Sequence, residues 1–598
     1  MPSMPASRVP ILALTVLVAG ASGGCGGAGA AGPPPARPRS ALVITLDTTR
    51  ADALGCYGGK DGVTPNLDAL ARESVLYEQA RAVAPLTLPS HISMFTGLYP
   101  PRHSVRTNSL MALPAAATTL AERAAGAGFQ TSAFVAALVL DGAYGLSQGF
   151  RNYTQPLRKQ QSALRIKDTP AANVVRAATQ WLRQTDRSRP FLLWVHLFDP
   201  HEPYEPSEEF LNQAGGDPYL GEVAATDAAV GYLLGKLREM DRMDETMVVV
   251  IADHGEGRGD HGELTHSTLC YDTTLLVPLL VRYPDGWGAG TRARDVVSGV
   301  DVYPTLIEAL GLGDPGDVDG VSLFGRRPPP GRGVYFETYD GFLSYGWSPL
   351  TGWADERGKY LHSSQPELFD VRDDPHESRN LVAERQEDAV RYRERLSALA
   401  QRPAFEATRG AVDPALLEAV QSLGYTGAGD VDSELPDPLD TRGLPSPQSR
   451  LNELYRFYAA STAGEQGKFD EAVRLLQQVV DQNPRNATAM DLLGYFLNQS
   501  RRFQDAITVL EKLQALGPPE RHSMHTNFGH AYEELGDELK ALQHYERAAQ
   551  LSPNGPLVLG DWARMLEKTG QAPAAAAVRA RIDELTRAPR PSAASGGE

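Results

Sequence analysis

Cysteine, basic charge and long apolar runs are scarce in this chain of 598 residues, and each shortage excludes a class of protein. Three cysteines, Cys25, Cys56 and Cys270, are too few for a disulfide framework, and none stands at zinc-knuckle spacing. Lysine and arginine number 57 against 74 acidic residues, a net charge of -17, so the basic face of a nucleic-acid binder is not expected. A mean hydropathy of -0.30 argues against a polytopic membrane protein. The length exceeds what one hydrophobic core organises, which predicts two or three domains.

An apolar run from Val9 to Ala19 follows Arg8; it is too short to span a bilayer but suits a signal-peptide core. Small residues then lead to Ser22-Gly-Gly-Cys25, which resembles a bacterial lipoprotein signal with Cys25 as the lipidated N-terminus, although Ser22 replaces the preferred Leu. A plain secretory signal is the alternative. Either reading predicts an exported protein, periplasmic or held at a bacterial membrane through Cys25. Residues 26–40, rich in Gly, Ala and Pro, read as a tether.

What the chain does contain is a series of apolar strands that end in acids. Ala41–Leu46 leads to Asp47, Phe191–Phe198 leads to Asp199-Pro-His201, and Thr246–Ala252 leads to Asp253-His254-Gly-Glu256. Continuous β-branched and apolar runs read as buried parallel strands, and sites are built at the C-terminal edges of such strands. Asp260-His-Gly-Glu-Leu-Thr-His266 adds imidazoles on a loop, while His196, inside its strand, reads as a packed core histidine. Carboxylate and imidazole together are the donor set of a divalent metal. Between the strands lies Ala84-Pro-Leu-Thr-Leu-Pro-Ser-His-Ile-Ser-Met-Phe-Thr-Gly97, with Thr87 as candidate nucleophile and Ser90 as its rival. A hydroxyl attacks poorly unless a base or metal activates it. Other expected elements are a helix from Thr64 through Leu76, a helix over Thr119–Gly126, a strand within Phe129–Leu140, a helix over Glu222–Met240 and a strand over Val277–Val281.

Eight segments occur in family order and resemble the sulfatase family of the alkaline phosphatase superfamily. They are Leu46–Arg50, Thr64–Asp68, Leu88–Gly97, Asp199–Tyr204, Asp253–Glu256, Val277–Leu280, Asp301–Leu306 and Glu367–Pro375. The resemblance covers about residues 41–400. It implies an α/β fold, a central mixed sheet flanked by helices with a small C-terminal subdomain. It also implies one divalent metal (calcium, manganese, magnesium or zinc) on Asp47, Asp253 and His254, touched by Thr87. His201 and His266 are implied as anion-binding or leaving-group residues. Thr48, Arg50, His91, Arg102 and His103 are weaker candidates for positioning substrate. Thr48 stands where the family often has a second Asp.

The larger departure is chemical. Family sulfatases carry Cys/Ser-x-Pro-x-Arg, the source of formylglycine, and this chain reads Thr87-Leu-Pro-Ser-His91. A formylglycine hydrate expels sulfate by C–O cleavage, an exit that threonine lacks, so no formylglycine is expected. A phosphorylated threonine is released by in-line attack of water at phosphorus. An anionic phosphoester is therefore the expected substrate. A sulfuric ester hydrolase and a catalytically silent binding protein are the alternatives.

Over 404–449 Pro, Asp and Gly rise and periodicity fades, as in a linker. Beyond it Ala472, Ala506 and Ala541 stand 34 and 35 residues apart; Pro484, Pro518 and Pro553 repeat those spacings, and Gly494 and Gly529 are 35 apart. This period is that of tetratricopeptide repeats, an all-α solenoid over 450–587 with about three repeats, a degenerate cap from Leu559 to Leu585, and a groove for a protein or peptide partner. The tail 588–598 reads as disordered.

Overall fold

The computed structural model describes residues 34–108, 111–155, 170–406, 435–517 and 520–587. The expected signal segment, Cys25, most of the tether, Pro518 and the tail lie outside the described residues. Eight strands form one mixed sheet: β1 (Ser40–Leu46), β2 (Val75–Arg81), β3 (Gln130–Phe134), β4 (Asn152–Thr154), β5 (Phe191–Leu197), β6 (Thr246–Ala252), β7 (Leu279–Arg282) and β8 (Thr291–Ser298), in the order β4-β3-β5-β1-β6-β7-β2-β8. All neighbours are parallel except β7, which runs antiparallel to β6 and β2. Every residue of β1, β5 and β6 is buried, because helices cover both sheet faces and force the continuous apolar pattern seen in the sequence.

Register carries the strand-end acids together. Leu46 of β1 pairs with Leu197 of β5 and Ala252 of β6, so Asp47 and Asp253 emerge side by side at one edge. The amide of Asp47 donates to Leu197 O at 2.9 Å and that of Asp253 to Leu46 O at 3.2 Å, which extends the ladders into the site.

One element differs from the sequence reading. The helix starting at Pro65 ends at Arg72, and Val75–Arg81 is strand β2 rather than a helical turn. Ser74 Oγ donates to Leu70 O and helps close the helix, and Val75, Leu76 and Tyr77 pack into the sheet. The Thr119–Glu122 capping box starts the expected helix at Leu120.

A second sheet, antiparallel in the order β12-β11-β10-β9, comprises β9 (Val334–Thr338), β10 (Leu350–Asp355), β11 (Gly358–His362) and β12 (Glu367–Phe369). Lys359 of β11 is buried and reaches Asp272 at 2.8 Å and Glu377 at 2.7 Å; Asp272 in turn holds Arg81 of β2 at 2.6 Å. This buried charge cluster joins the two sheets.

The described part of the expected linker is not loose. Carbonyls of Pro436, Pro438 and Pro445 accept from Tyr339 Oη, Thr351 Oγ1 and Ser348 N. Eight helices follow from Leu451–Glu465 to Ala572–Arg587, in antiparallel pairs. Gly494 and Gly529 are needed where helices touch: a Cβ there would lie 2.7 Å from Leu510 and 2.8 Å from Tyr545. The first helix, Leu451–Glu465, packs on the half that holds the two sheets, through Leu451 against Gly262 and through Leu454 and Tyr458 against Tyr345 and Trp347.

Candidate active site

At the sheet edge Asp47, Asp253 and His254 offer ligand atoms that lie within 4.8 Å of one another, all buried. His254 Nε2 is 3.8 Å from Asp47 Oδ1 and 3.7 Å from Asp253 Oδ2. Its Nδ1 faces Gly255 O at 3.0 Å; a carbonyl only accepts, so Nδ1 carries a proton and Nε2 is the nitrogen turned toward the carboxylates. Both oxygens of Asp47 and Oδ2 of Asp253 are buried without a hydrogen-bond donor. Burial pushes both carboxyls upward, and the charge of Asp47 raises Asp253 further. Unpartnered carboxylate oxygens beside an imidazole nitrogen fit a divalent cation, which would satisfy all of them at once.

Thr87 opens the Thr87–Thr96 helix, and its Oγ1 lies 3.4 Å from His254 Nε2. Ser90, the rival hydroxyl, is committed to Ala84 O at 2.9 Å. Thr48 holds φ at 45°, a left-handed conformation that costs a β-branched residue about 1–3 kcal/mol. Its amide donates to Asp253 Oδ1 at 3.3 Å and its own Oγ1 is buried without a partner.

A second triangle, His91, His196 and Asp253, also brings ligand atoms within 4.8 Å of one another, but its imidazoles are held by other groups. His91 Nδ1 donates to Thr87 O at 2.8 Å, and Thr45 Oγ1, which accepts from Trp194 Nε1, faces His91 Nε2 at 3.0 Å. His196 Nδ1 accepts from Ala136 N at 3.3 Å, so Nε2 bears the proton and lies 3.2 Å from Asp47 Oδ2 outside hydrogen-bond alignment. Burial lowers His91 to about 3 and His196 to about 4, keeping both neutral. His91 thus anchors the start of the Thr87 helix, and His196 is more than core filling because it abuts Asp47.

The two loop histidines gather here. His201 and His266 have ring centroids 5.0 Å apart, and His266 is 4.6 Å from His254. His201 Nδ1 donates to Glu202 O at 2.7 Å and His266 Nδ1 to Glu256 Oε1 at 3.3 Å, which fixes the orientation of each ring. Burial lowers His201 to about 4 and His266 well below the usual range.

Three weaker candidates are engaged elsewhere. Arg50 ties Asp52, Asp260 and the carbonyls of Glu256 and Gly257, bracing the loop after β6. Arg102 pairs with Asp317 and Asp319, and His103 Nε2 meets Ser93 Oγ at 2.9 Å. Two other groups were missed. Glu256, buried, accepts from Tyr204 Oη at 2.9 Å as well as from His266; its place in Asp253-His-Gly-Glu was the available signal. Asn108 accepts from Leu88 N at 2.9 Å while its buried Nδ2 has no acceptor, so a donor stands unsatisfied beside Thr87. Nothing in the local sequence marks it.

Residues 39–312 match the family model described as Sulfatase, residues 259–402 that of N-sulphoglucosamine sulphohydrolase, C-terminal, and residues 439–587 that of the tetratricopeptide repeat. Among curated relatives, the uncharacterized sulfatase YidJ of Escherichia coli is 25% identical over 58% of this chain and 83% of its own length. The ulvan-active sulfatase of Formosa agariphila is 26% identical over 65% and 82%. Arylsulfatase A of Homo sapiens is 25% identical over 58% and 84%. The fold is shared with the phosphonate monoester hydrolase of Agrobacterium radiobacter, at a TM-score of 0.53, 24% identity and 61% and 95% coverage. It is also shared with a structure solved with its substrate D-glucosamine-2-N,6-O-disulfate, at 0.54, 19%, 61% and 98%. The chain carries a sulfatase-family hydrolase domain of alkaline-phosphatase-like fold, followed by tetratricopeptide repeats.

Proposed function

We propose that this chain is a metal-dependent hydrolase or transferase of phosphate esters that works through Thr87 as covalent nucleophile. The observation that carries this reading is the Thr87 hydroxyl, 3.4 Å from His254 Nε2 and beside two carboxylates with unpartnered oxygens. Asp47, Asp253 and His254 would hold one divalent cation, among calcium, manganese, magnesium and zinc. When bound, it supplies acidity to the Thr87 hydroxyl and charge to offset the ester anion.

Thr87 Oγ attacks phosphorus, the new O–P bond forms, and the bond to the leaving oxygen breaks. His201 or His266, neutral at rest, takes the threonine proton on Nε2 and delivers it to the departing alcohol. Asn108 Nδ2 donates to a phosphoryl oxygen, and Glu256 and Glu202 O fix the two imidazoles through their Nδ1 protons. Water then attacks the phosphothreonine, releasing phosphate and returning a proton to Thr87. Threonine at this position takes the place of formylglycine, which is why phosphorus is preferred to sulfur.

The names of the curated relatives favour a second reading, a sulfuric ester hydrolase with the same residues. A silent domain assembling partners through the repeat groove is the third. Parallel turnover assays with aryl phosphate mono- and diesters and aryl sulfates, on metal-reconstituted protein, separate the three. Turnover of sulfates alone overturns the phosphoester preference, and a protein that binds metal but hydrolyses nothing overturns the enzyme reading. We place the protein outside the cytoplasm, with Cys25 as lipid anchor; loss of labelled palmitate from Cys25→Ser tests this.

A further inference from the structure

Beside the metal-ligating group lies a cavity of about 540 Å3 that the chemistry above does not use. Its size falls within the range of small-molecule sites. The Ala171–Gln184 helix gives it Ala172, Val175 and Arg176, one turn apart on one face. The Pro218–Glu239 helix gives it Glu222, Ala225, Ala229 and Tyr232 at the same kind of spacing. Small side chains on both helices make the room. The loop after β5 adds Phe198, His201 and Pro203, and the short helix Glu208–Gln213 adds Phe210.

His201 belongs to both places. Its ring stacks on Phe198 with centroids 4.4 Å apart, and its other neighbour is His266, on the side of His254. A group leaving an ester held at Thr87 and taking its proton from His201 therefore departs next to this cavity.

The lining also states what fits. Most of it is apolar, and besides the His201 imidazole and the Tyr232 phenol its ionisable groups are Asp199, Glu205, Glu222 and Arg176, three carboxyls against one guanidinium. Asp199 Oδ2 accepts from Ala171 N at 2.7 Å and Glu222 Oε1 from Glu205 N at 2.9 Å, so two carboxyls are bound to backbone. Burial raises Asp199 to about 6, and burial together with the charge of Asp199 raises Glu222 to about 7. Such a room disfavours anionic groups and rewards apolar ones.

We propose that this cavity receives the leaving-alcohol part of the substrate, an uncharged aryl or alkyl-aryl group, and makes the enzyme selective for esters of apolar alcohols. This rests on the hydrolase reading above. The bond between phosphorus and the alcohol oxygen breaks, Thr87 Oγ replaces it on phosphorus, and the alcohol leaves into the cavity with the proton from His201.

The test uses the full-length, metal-loaded protein and a series of methyl aryl phosphodiesters whose phenols carry no chain, 4-propyl or 4-hexyl, substituents that barely change leaving-group acidity. We expect kcat/KM to rise about three- to fourfold per methylene until the cavity is filled. Ala225→Trp and Ala228→Trp, the latter at an exposed position, should abolish that dependence on chain length. Calorimetry of 4-hexylphenol with the Thr87→Ala protein should show binding that either tryptophan removes. Hydrolysis with a flat series, or phenol binding that survives both tryptophans, overturns the inference alone. Failure to hydrolyse any member removes the hydrolase reading and the inference with it.

Discussion

The sheet edge and the repeat array both bury polar groups, and they treat them differently. At the edge, Asp47 and Asp253 keep carboxylate oxygens without donors. In the array, Glu453 Oε1 accepts from Asn483 Nδ2 at 2.7 Å and Asn486 Nδ2 at 2.8 Å, and Asp491 accepts from Ser523 at 2.5 Å and Asn527 at 3.1 Å, while the buried polar atoms without a partner there, among them Glu453 Oε2, Asn498 Oδ1 and Trp562 Nε1, sit on different helices. Unsatisfied charge costs stability and persists where a ligand repays it; satisfied polar groups lock one helix to the next. The edge gathers its unpartnered oxygens around one point beside an imidazole, whereas the array spreads its own over several helices.

The largest expected effect breaks the edge. Thr87→Ala should lower kcat on phosphate esters by at least about 10³-fold while metal content and melting temperature stay near wild type. Asn108→Ala comes next, with a loss of about 10²–10³-fold in kcat and little change in KM, the signature of a donor used in the transition state. Stopped-assay kinetics on metal-replete protein check both.

In the array the expectation reverses. Glu453→Ala leaves Asn486 Nδ2 without an acceptor and Asn483 Nδ2 with the Tyr345 carbonyl alone, and should cost about 1–3 kcal/mol of stability, read as a lower denaturation midpoint, with metal content unchanged. If instead metal is lost with the fold intact, assembly and chemistry are not separable in this way.

The smallest effect concerns Glu263, on the loop between the two regions. It accepts from Thr268 N and Leu269 N, and burial raises its pKa to about 8. A carboxyl raised on folding stabilises while protonated, so its contribution is complete below about pH 4.5 and is lost as pH climbs through about 8. Glu263→Gln keeps the acceptor and should flatten the fall in melting temperature between pH 5 and 8.5. An unchanged slope would assign that fall to other groups.

These contrasts also show why some residues were legible and others were not. Asp47 and Asp253 could be read because an apolar strand ending in an acid is a local pattern, and parallel register places such ends together. The repeats could be read from spacing alone. His196 resembled core because its strand is apolar on both sides; its contact with Asp47 depends on pairing with β1, 151 residues earlier in the pairing of Thr45 with His196. Asn108 and the cavity beside His201 depend on segments brought together only by the fold. Val75 and Leu76 read as the end of the preceding helix because a seven-residue run with Glu78 and Gln79 satisfies neither period well, and only its place between β7 and β8 makes Val75–Arg81 a strand.

The central claim is that Thr87 carries the transferred group. Rapid acid quenching during turnover of an aryl phosphodiester, followed by peptide mass spectrometry, should find the phosphoryl adduct on Thr87 in the wild-type protein. Thr87→Ala, metal-bound and folded, should yield neither adduct nor product. Full turnover by Thr87→Ala, or an adduct on Ser90 instead, would contradict the account.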